Sequence, residues 1–317
     1  MIRVKISNFI KNNINKIRDL GIKLIIVAII IIIATIILST NRNHKTNSDN
    51  YEKESYKPTE TIIQGASVKK EQYEKDNNII NKFLEYCNNK DISKAYELLS
   101  MDCKKELYPT IEDFKKYYYE TIFDKERTYN LQAWISDKKY TVYKIRYTNN
   151  MLSTGLYNED DVYQDYITLN KKSNKEEIFI GNLVYCEELN IITKTKEIEA
   201  IVIKKKVYVS DEEYEIKIKN NTDKIILMDT LQNNKNIRLL TNDKTEYGAY
   251  TNSIFMKDLL VEPWQTGTIS IKFKKNLSSD KKSKVIQFSN IIKDYITYKE
   301  NSQNYNDVIS IQINVED

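Results

Sequence analysis

The sequence predicts a mixed α+β chain: an N-terminal transmembrane helix, then three helices packed on a curved, cone-like antiparallel sheet, then an all-β sandwich. Three observations predict it. Leu24 to Thr40 runs 17 residues without a charge, Glu71 to Ile122 places its apolar residues at helical spacing, and from Thr128 onward the period shortens to two.

Residues 1–40 hold six bases (Arg3, Lys5, Lys11, Lys16, Arg18, Lys23) and one acid (Asp19), so they carry +5 of a chain total of +4 and the remainder is close to neutral. Residues 22–40 are long enough as a helix to cross the ~30 Å hydrocarbon layer, with Lys23 reaching back to the headgroups. A cleaved signal peptide is the competing reading. The apolar run exceeds the usual h-region, and Leu38-Ser39-Thr40-Asn41-Arg42 contains no A-x-A-like cleavage site. The basic excess before the span puts residues 1–21 in the cytoplasm and everything after residue 40 outside the cell membrane. Ile6, Ile10, Ile14 and Ile17 recur at helical spacing in residues 1–21. The segment reads first as a flanking anchor that only sets topology, the alternatives being an amphipathic helix on the anionic inner leaflet or one packed on another subunit. The near-neutral exterior lacks the Lys/Arg excess that phosphate recognition needs, which argues against nucleic acid as a partner.

Residues 41–70 are dense in charge and amide and poor in apolar side chains, the composition of a flexible stalk. The domain expected over 71–190 opens with a helix whose stripe is Ile79, Ile80, Phe83, Leu84 and Cys87. A second is capped by Asp91 and buries Ile92, Ala95, Tyr96, Leu98 and Leu99. A third follows Pro109, with Thr110 and Asp113 approximating a capping box and Phe114, Tyr117, Tyr118 and Ile122 inward. Strands are expected at 128–136, 140–148, 162–170 and 178–186. Over 195–317 the strands expected are 199–210, 214–220, 224–229, 237–241, 246–250, 268–274, 285–290 and 308–315. Strict alternation at Tyr214, Ile216 and Ile218, and at Ile269, Ile271 and Phe273, gives each strand one buried face.

The element order, and the segment NKFLEYCNNKDISKAYELLSMDCKKEL leading into PTIEDFKKYYYETIF, resembles the nuclear transport factor 2-like superfamily over residues 71–189. That resemblance implies a cone whose sheet wraps a long helix. It also implies either a pocket or a scaffold, since superfamily enzymes use an Asp or a His-Asp pair in the cone. The sole histidine, His44, falls in the stalk, and Asp91, Asp113 and Asp165 read first as caps or solvated residues. The stretches YEIKIKNNTDKIILMD and EPWQTGTISIKFK resemble bacterial immunoglobulin-like modules, without the Cys…Trp…Cys frame of antibody domains.

Cys87, Cys103 and Cys186 are odd in number; Cys87 and Cys103 could bridge neighbouring helices or remain buried thiols. Glu159-Asp160-Asp161 with Asp165 could hold calcium but reads first as a solvated loop. Lys204-Lys205-Lys206 and Lys281-Lys282-Ser283-Lys284 could meet envelope polyanions but read first as exposed positions. The 24 tyrosines, Tyr117-Tyr118-Tyr119 among them, fit ordinary core and strand positions better than a sugar-stacking surface. No phosphate-binding glycine loop, G-x-S-x-G or H-E-x-x-H occurs, and no catalytic, cofactor-binding or metal-binding residue is assigned. A short inside, one span and an exterior nuclear-transport-factor-like domain resemble the inner-membrane scaffold subunits of type IV secretion and conjugation machines. The expectation is a non-enzymatic, membrane-anchored envelope scaffold with protein partners. The alternative is a binding module that takes a lipid, peptide or cell-wall fragment in the cone.

Overall fold

The computed structural model describes residues 68–149, 162–171, 175–233, 235–278 and 280–316. All of them belong to one compact unit, Pro58–Asp317. The expected cytoplasmic segment 1–21, the span 22–40, nearly all of the stalk 41–70 and the acidic run Glu159-Asp160-Asp161 lie outside the described residues. Among the described residues no helix is long and apolar enough to cross a membrane. The described chain is mixed, with short helices and three antiparallel sheets, and mostly β.

Val68 is already buried, so the last residues of the expected stalk belong to the folded body. Helix α1 (Lys70–Asn88) buries the stripe its spacing predicts, and Asp76 with it. Asp91 occupies the N-cap of α2 (Ile92–Glu97), but its carboxylate pairs with Lys94 rather than with the helix backbone. Helix α3 (Met101–Leu107), not expected from the sequence, is capped by Ser100, whose Oγ accepts from Cys103 N at 3.1 Å. Thr110 and Asp113 form the predicted capping box of α4 (Ile111–Phe114).

A π-helical turn, Lys115–Tyr119, then links α4 to α5 (Glu120–Ile122). The wider turn shifts the helical phase: Tyr119 joins Tyr118 inside, while Tyr117, expected inward, is 60% exposed.

The first sheet has the order β1 (Arg127–Ser136), β2 (Tyr140–Asn149), β3 (Tyr163–Asn170), β4 (Ile178–Phe179). The single strand expected at 178–186 is broken. Gly181 and Asn182 take left-handed φ of +67° and +66°, and Leu183 N donates to Ile180 O. The chain turns and resumes as β5 (Leu183–Lys194), which pairs with β6 (Ile198–Tyr208) of a second sheet. A Cβ on Gly181 would sit 3.1 Å from both Leu107 Cδ1 and Tyr108 Oη, so close packing as well as φ favours glycine there.

The second sheet runs β12 (Thr266–Phe273), β7 (Glu212–Asn220), β6, β5. The third contains β8 (Ile226–Leu227), β9 (Ile237–Thr241), β10 (Glu246–Gly248), β11 (Leu260–Val261) and β13 (Ser283–Ile292), with β14 (Val308–Asn314) paired to β13. Inward residues of these two sheets, among them Ile216, Ile271, Leu239 and Phe288, share one core. The helices and the first sheet share another around Phe83, Phe114 and Tyr147. A third cluster (Ile135, Tyr140, Val142, Val184, Val207, Val209, Leu277) knits β1 and β2 to β5 and β6. Where this third cluster ends, a cleft opens.

Candidate functional site

Strand alternation builds the floor of that cleft. On β7, Glu212 is in phase with Tyr214, Ile216 and Ile218; on β12, Phe273 lies opposite Glu212, and Lys275 continues the inward phase of Ile269, Ile271 and Phe273. On β6 a bulge at Ile203 shifts the phase by one residue and sets Lys205 opposite Tyr214. Three charged groups thereby meet on an apolar face. Glu212 Oε1 accepts from Lys275 Nζ at 2.7 Å. Its Oε2 accepts from Tyr214 Oη at 2.7 Å and Ser283 Oγ at 2.6 Å, with Lys205 Nζ at 3.5 Å. Lys275 is 2% exposed and Glu212 3%.

Burial pushes Glu212 up, but Lys205 and Lys275 more than offset it and hold the carboxyl below its ordinary value. Burial, and then repulsion from Lys275, draws Lys205 down against the pull of Glu212. The cleft above has a volume of about 620 Å³ and is walled by Tyr140, Tyr185, Leu189 and Leu277, with Lys138, Lys139 and Lys282 at its rim. Tyr140 and Tyr185 lie 5.7 Å apart between ring centroids.

The same alternation sends the other two lysines to the opposite face. Lys204 Nζ contacts Glu106 Oε1 at 2.7 Å, and Lys206 Nζ contacts Glu106 Oε2 at 2.9 Å and Glu213 Oε1 at 3.2 Å. The run expected to be exposed is therefore largely covered, with α3 supplying the acid. Of the second run, Ser283 is buried on Glu212, Lys281 pairs with Asp243 at 3.3 Å and Lys284 with Glu316 at 3.4 Å.

Asp165, expected to be a cap or a solvated residue, lies buried beneath the helices in phase with Ile167 and Leu169 on β3. Its Oδ1 accepts from Tyr166 N at 2.7 Å and Asn182 N at 3.3 Å, and its Oδ2 from Tyr118 Oη at 2.9 Å and Gly181 N at 3.1 Å. Because Tyr118 donates to Asp165, Tyr147, 3.0 Å away, donates to Tyr118. Burial outweighs the donors and lifts the carboxyl above its ordinary value. Tyr118 in turn belongs to a cluster of rings with Phe83, Phe114 and Tyr108, whose centroids lie 5.7 to 6.4 Å from one another. Asp76 is likewise buried on α1, accepting from Tyr143 Oη at 2.8 Å and Gln72 Nε2 at 2.6 Å, and burial again raises it.

His44 and the acidic run fall outside the described residues, and among those described no group of side chains is arranged to hold a metal ion. Cys87, Cys103 and Cys186 are free thiols, with no Cys87–Cys103 bridge; burial pushes Cys103 and Cys186 each up to about 12. Asp165, Glu212, Lys205 and Lys275 were missed as buried groups, yet three of them carry a readable signal. Asp165, Glu212 and Lys275 each continue an apolar alternation, whereas Lys205 reaches the inner face only through the bulge.

No family model matches this sequence, and no curated protein is significantly similar to it. Among solved structures it is similar to a functionally unknown protein from Listeria monocytogenes EGD-e, at 12% identity and a TM-score of 0.27, over 42% of this chain and 85% of that one.

Proposed function

We propose that the chain is a non-enzymatic, membrane-anchored interaction or scaffold protein of a bacterial envelope. In this reading residues 1–21 are cytoplasmic, 22–40 span the membrane and 41–70 form the stalk. Residues 71–190 form a nuclear-transport-factor-2-like domain and 195–317 an immunoglobulin-like sandwich, both outside the cell. The observation that carries it is the continuous buried core of the helix-and-sheet domain, in which Phe83, Phe114 and Tyr147 are fully buried. Asp165 is buried with two donors on each oxygen, so it has no free acceptor aimed at a substrate. An enzyme of that fold would need the opposite arrangement, a carboxylate facing an open pocket.

Apolar side chains that a partner could cover add support on the β-rich part: Phe255, Met256 and Trp264 are 66%, 42% and 63% exposed. The helix-then-sheet order supports the first domain assignment, and the shared core of the second and third sheets supports the second.

Crosslinking and affinity capture of the full-length protein from its native membrane, followed by mass spectrometry, test the reading, with a variant lacking residues 1–40 as control. Other membrane-machine subunits should co-purify and be lost with the anchor. Recovery of the protein alone would overturn it.

A further inference from the structure

The cleft over Glu212 holds a charge imbalance that the fold leaves open. Two ammonium groups share one carboxylate, the buried Lys275 at 2.7 Å and the partly buried Lys205 at 3.5 Å. Among the described residues neither makes an ion pair with any other acid. Glu187, opposite Lys205 on β5, compensates only at longer range. An uncompensated charge removed from water costs on the order of several kcal/mol, so a cluster built for stability alone would match its charges. The rim continues the excess. Lys281 and Glu316 are committed to Asp243 and Lys284, and the Asp137 carboxylate accepts from Lys139 N and Tyr140 N at 2.7 and 2.8 Å. Lys138, Lys139 and Lys282 make no ion pair among the described residues, which leaves the mouth basic.

We propose that this cleft binds a compact oxyanion, a phosphate or a carboxylate group, through Lys205 and the hydrogen-bonded Lys275–Glu212–Ser283 floor, with the ligand's body against Tyr140 and Tyr185. Glu212, itself held by the Ser283 hydroxyl, accepts from the Lys275 ammonium and fixes its direction, and Tyr214 stands beneath Lys205 with the ammonium 5.6 Å from its ring centroid. The donors are therefore positioned before the anion arrives, which reduces the ordering cost of binding. The volume of about 620 Å³ suits a small molecule or the charged end of a glycan or peptide. A smaller recess of about 170 Å³ sharing Tyr140, Tyr185, Lys139 and Glu187 extends the aromatic wall toward Phe179 and Val184. A ligand reading thus survives at the junction of the sheets rather than within the core of the helix-and-sheet domain. This inference does not rest on the scaffold reading, because the cleft would bind its anion whether or not the chain belongs to a larger machine.

Isothermal titration calorimetry on the full-length protein in detergent micelles, with inorganic phosphate and separately with acetate at one ionic strength, tests it. Saturable binding of at least one of the two is expected, and the tighter one identifies the phosphate or the carboxylate source. Lys205→Gln should weaken that binding by about tenfold or more, a loss of ~1.4 kcal/mol. Lys82→Gln, on α1, paired with Glu176 and not among the residues lining the cleft, should leave it unchanged. Should Lys205→Gln fail to fold, the rim variant Lys138→Gln/Lys139→Gln/Lys282→Gln, confined to side chains outside any core, should weaken binding several-fold. Absence of binding of both anions to the wild type, or undiminished affinity in the folded variant, would overturn the inference.

Discussion

Asp165 and Glu212 are both carboxylates buried on strands in phase with apolar neighbours, yet they are satisfied by different kinds of partner. Asp165 receives two backbone N–H groups of the Gly181-Asn182 turn, one from Tyr166 and a tyrosine hydroxyl, all neutral. Glu212 receives two ammonium groups and two hydroxyls. Neutral donors hold a local turn in place without importing charge, which suits a closed core. Cations over-compensate and leave a site that an anion completes. The two regions therefore respond to acid with opposite signs.

The largest effect should come from removing the counter-charge. Glu212→Gln leaves the buried Lys275 and the partly buried Lys205 without a carboxylate and should cost about 3–5 kcal/mol in urea unfolding. Replacing the whole cluster, Glu212→Leu with Lys205→Met and Lys275→Met, should restore stability to near wild type while abolishing anion binding. If Glu212→Gln were nearly neutral, the two lysines would already be relieved by other means and the contrast with Asp165 would collapse.

Asp165→Asn comes next, at about 1–3 kcal/mol, because an amide cannot accept from all four donors. The pH series sharpens the contrast. Asp165 and Asp76 titrate above the ordinary Asp value of 3.8, so the folded chain holds their protons where the unfolded chain has released them. Their stabilising contribution is complete below 3.8 and declines as pH rises through the folded values. Glu212 and Glu106 titrate below the ordinary Glu value of 4.5, so theirs is complete above 4.5 and is lost as pH falls through the folded values. Unfolding free energy measured against pH should lose its acid-side decline in part in Glu212→Gln, whereas Asp165→Asn should lose part of the opposing gain. Parallel curves for the two variants would contradict the assignment.

Much of this was legible in the sequence. Apolar stripes located α1, and S/T-plus-acid spacing located the cap of α4, because both are local rules. What escaped was non-local or one residue long. The π-helical turn at Lys115–Tyr119 and the bulge at Ile203 each displace the phase of everything after them, and neither has a side-chain signature here. The turn at Gly181 divides one apolar run between two sheets, since only tertiary pairing distinguishes a straight strand from a broken one. Asp76, Asp165, Glu212 and Lys275 were available to a stricter reading. A charged residue in the apolar phase of a helix or strand is a buried charge in waiting, whatever acidic or basic neighbours surround it.

Left-handed residues extend the comparison on a smaller scale. Gly181 serves the Asp165 network, and Gly181→Ala should cost about 1–2 kcal/mol from φ strain together with the 3.1 Å contacts on Leu107 and Tyr108. A destabilisation that vanished in the Asp165→Asn background would show that the carboxylate, not packing, dictates the turn.

Trp264 is the reverse case. It occupies the third position of the turn Glu262–Gln265, closed by Gln265 N donating to Glu262 O at 3.1 Å, with φ of +60°, where glycine is the unstrained choice. The indole is 63% exposed, so packing supplies little compensation for that strain. Trp264→Gly should raise stability by about 0.5 kcal/mol, relief of the left-handed strain exceeding the added chain entropy of the unfolded state. Thermal unfolding of the variant measures this directly. If the variant is more stable yet loses partners in the membrane capture experiment, the strained tryptophan is retained for contact. If it loses stability, the indole packs more tightly than its exposure implies and the turn is no longer the counterpart of Gly181.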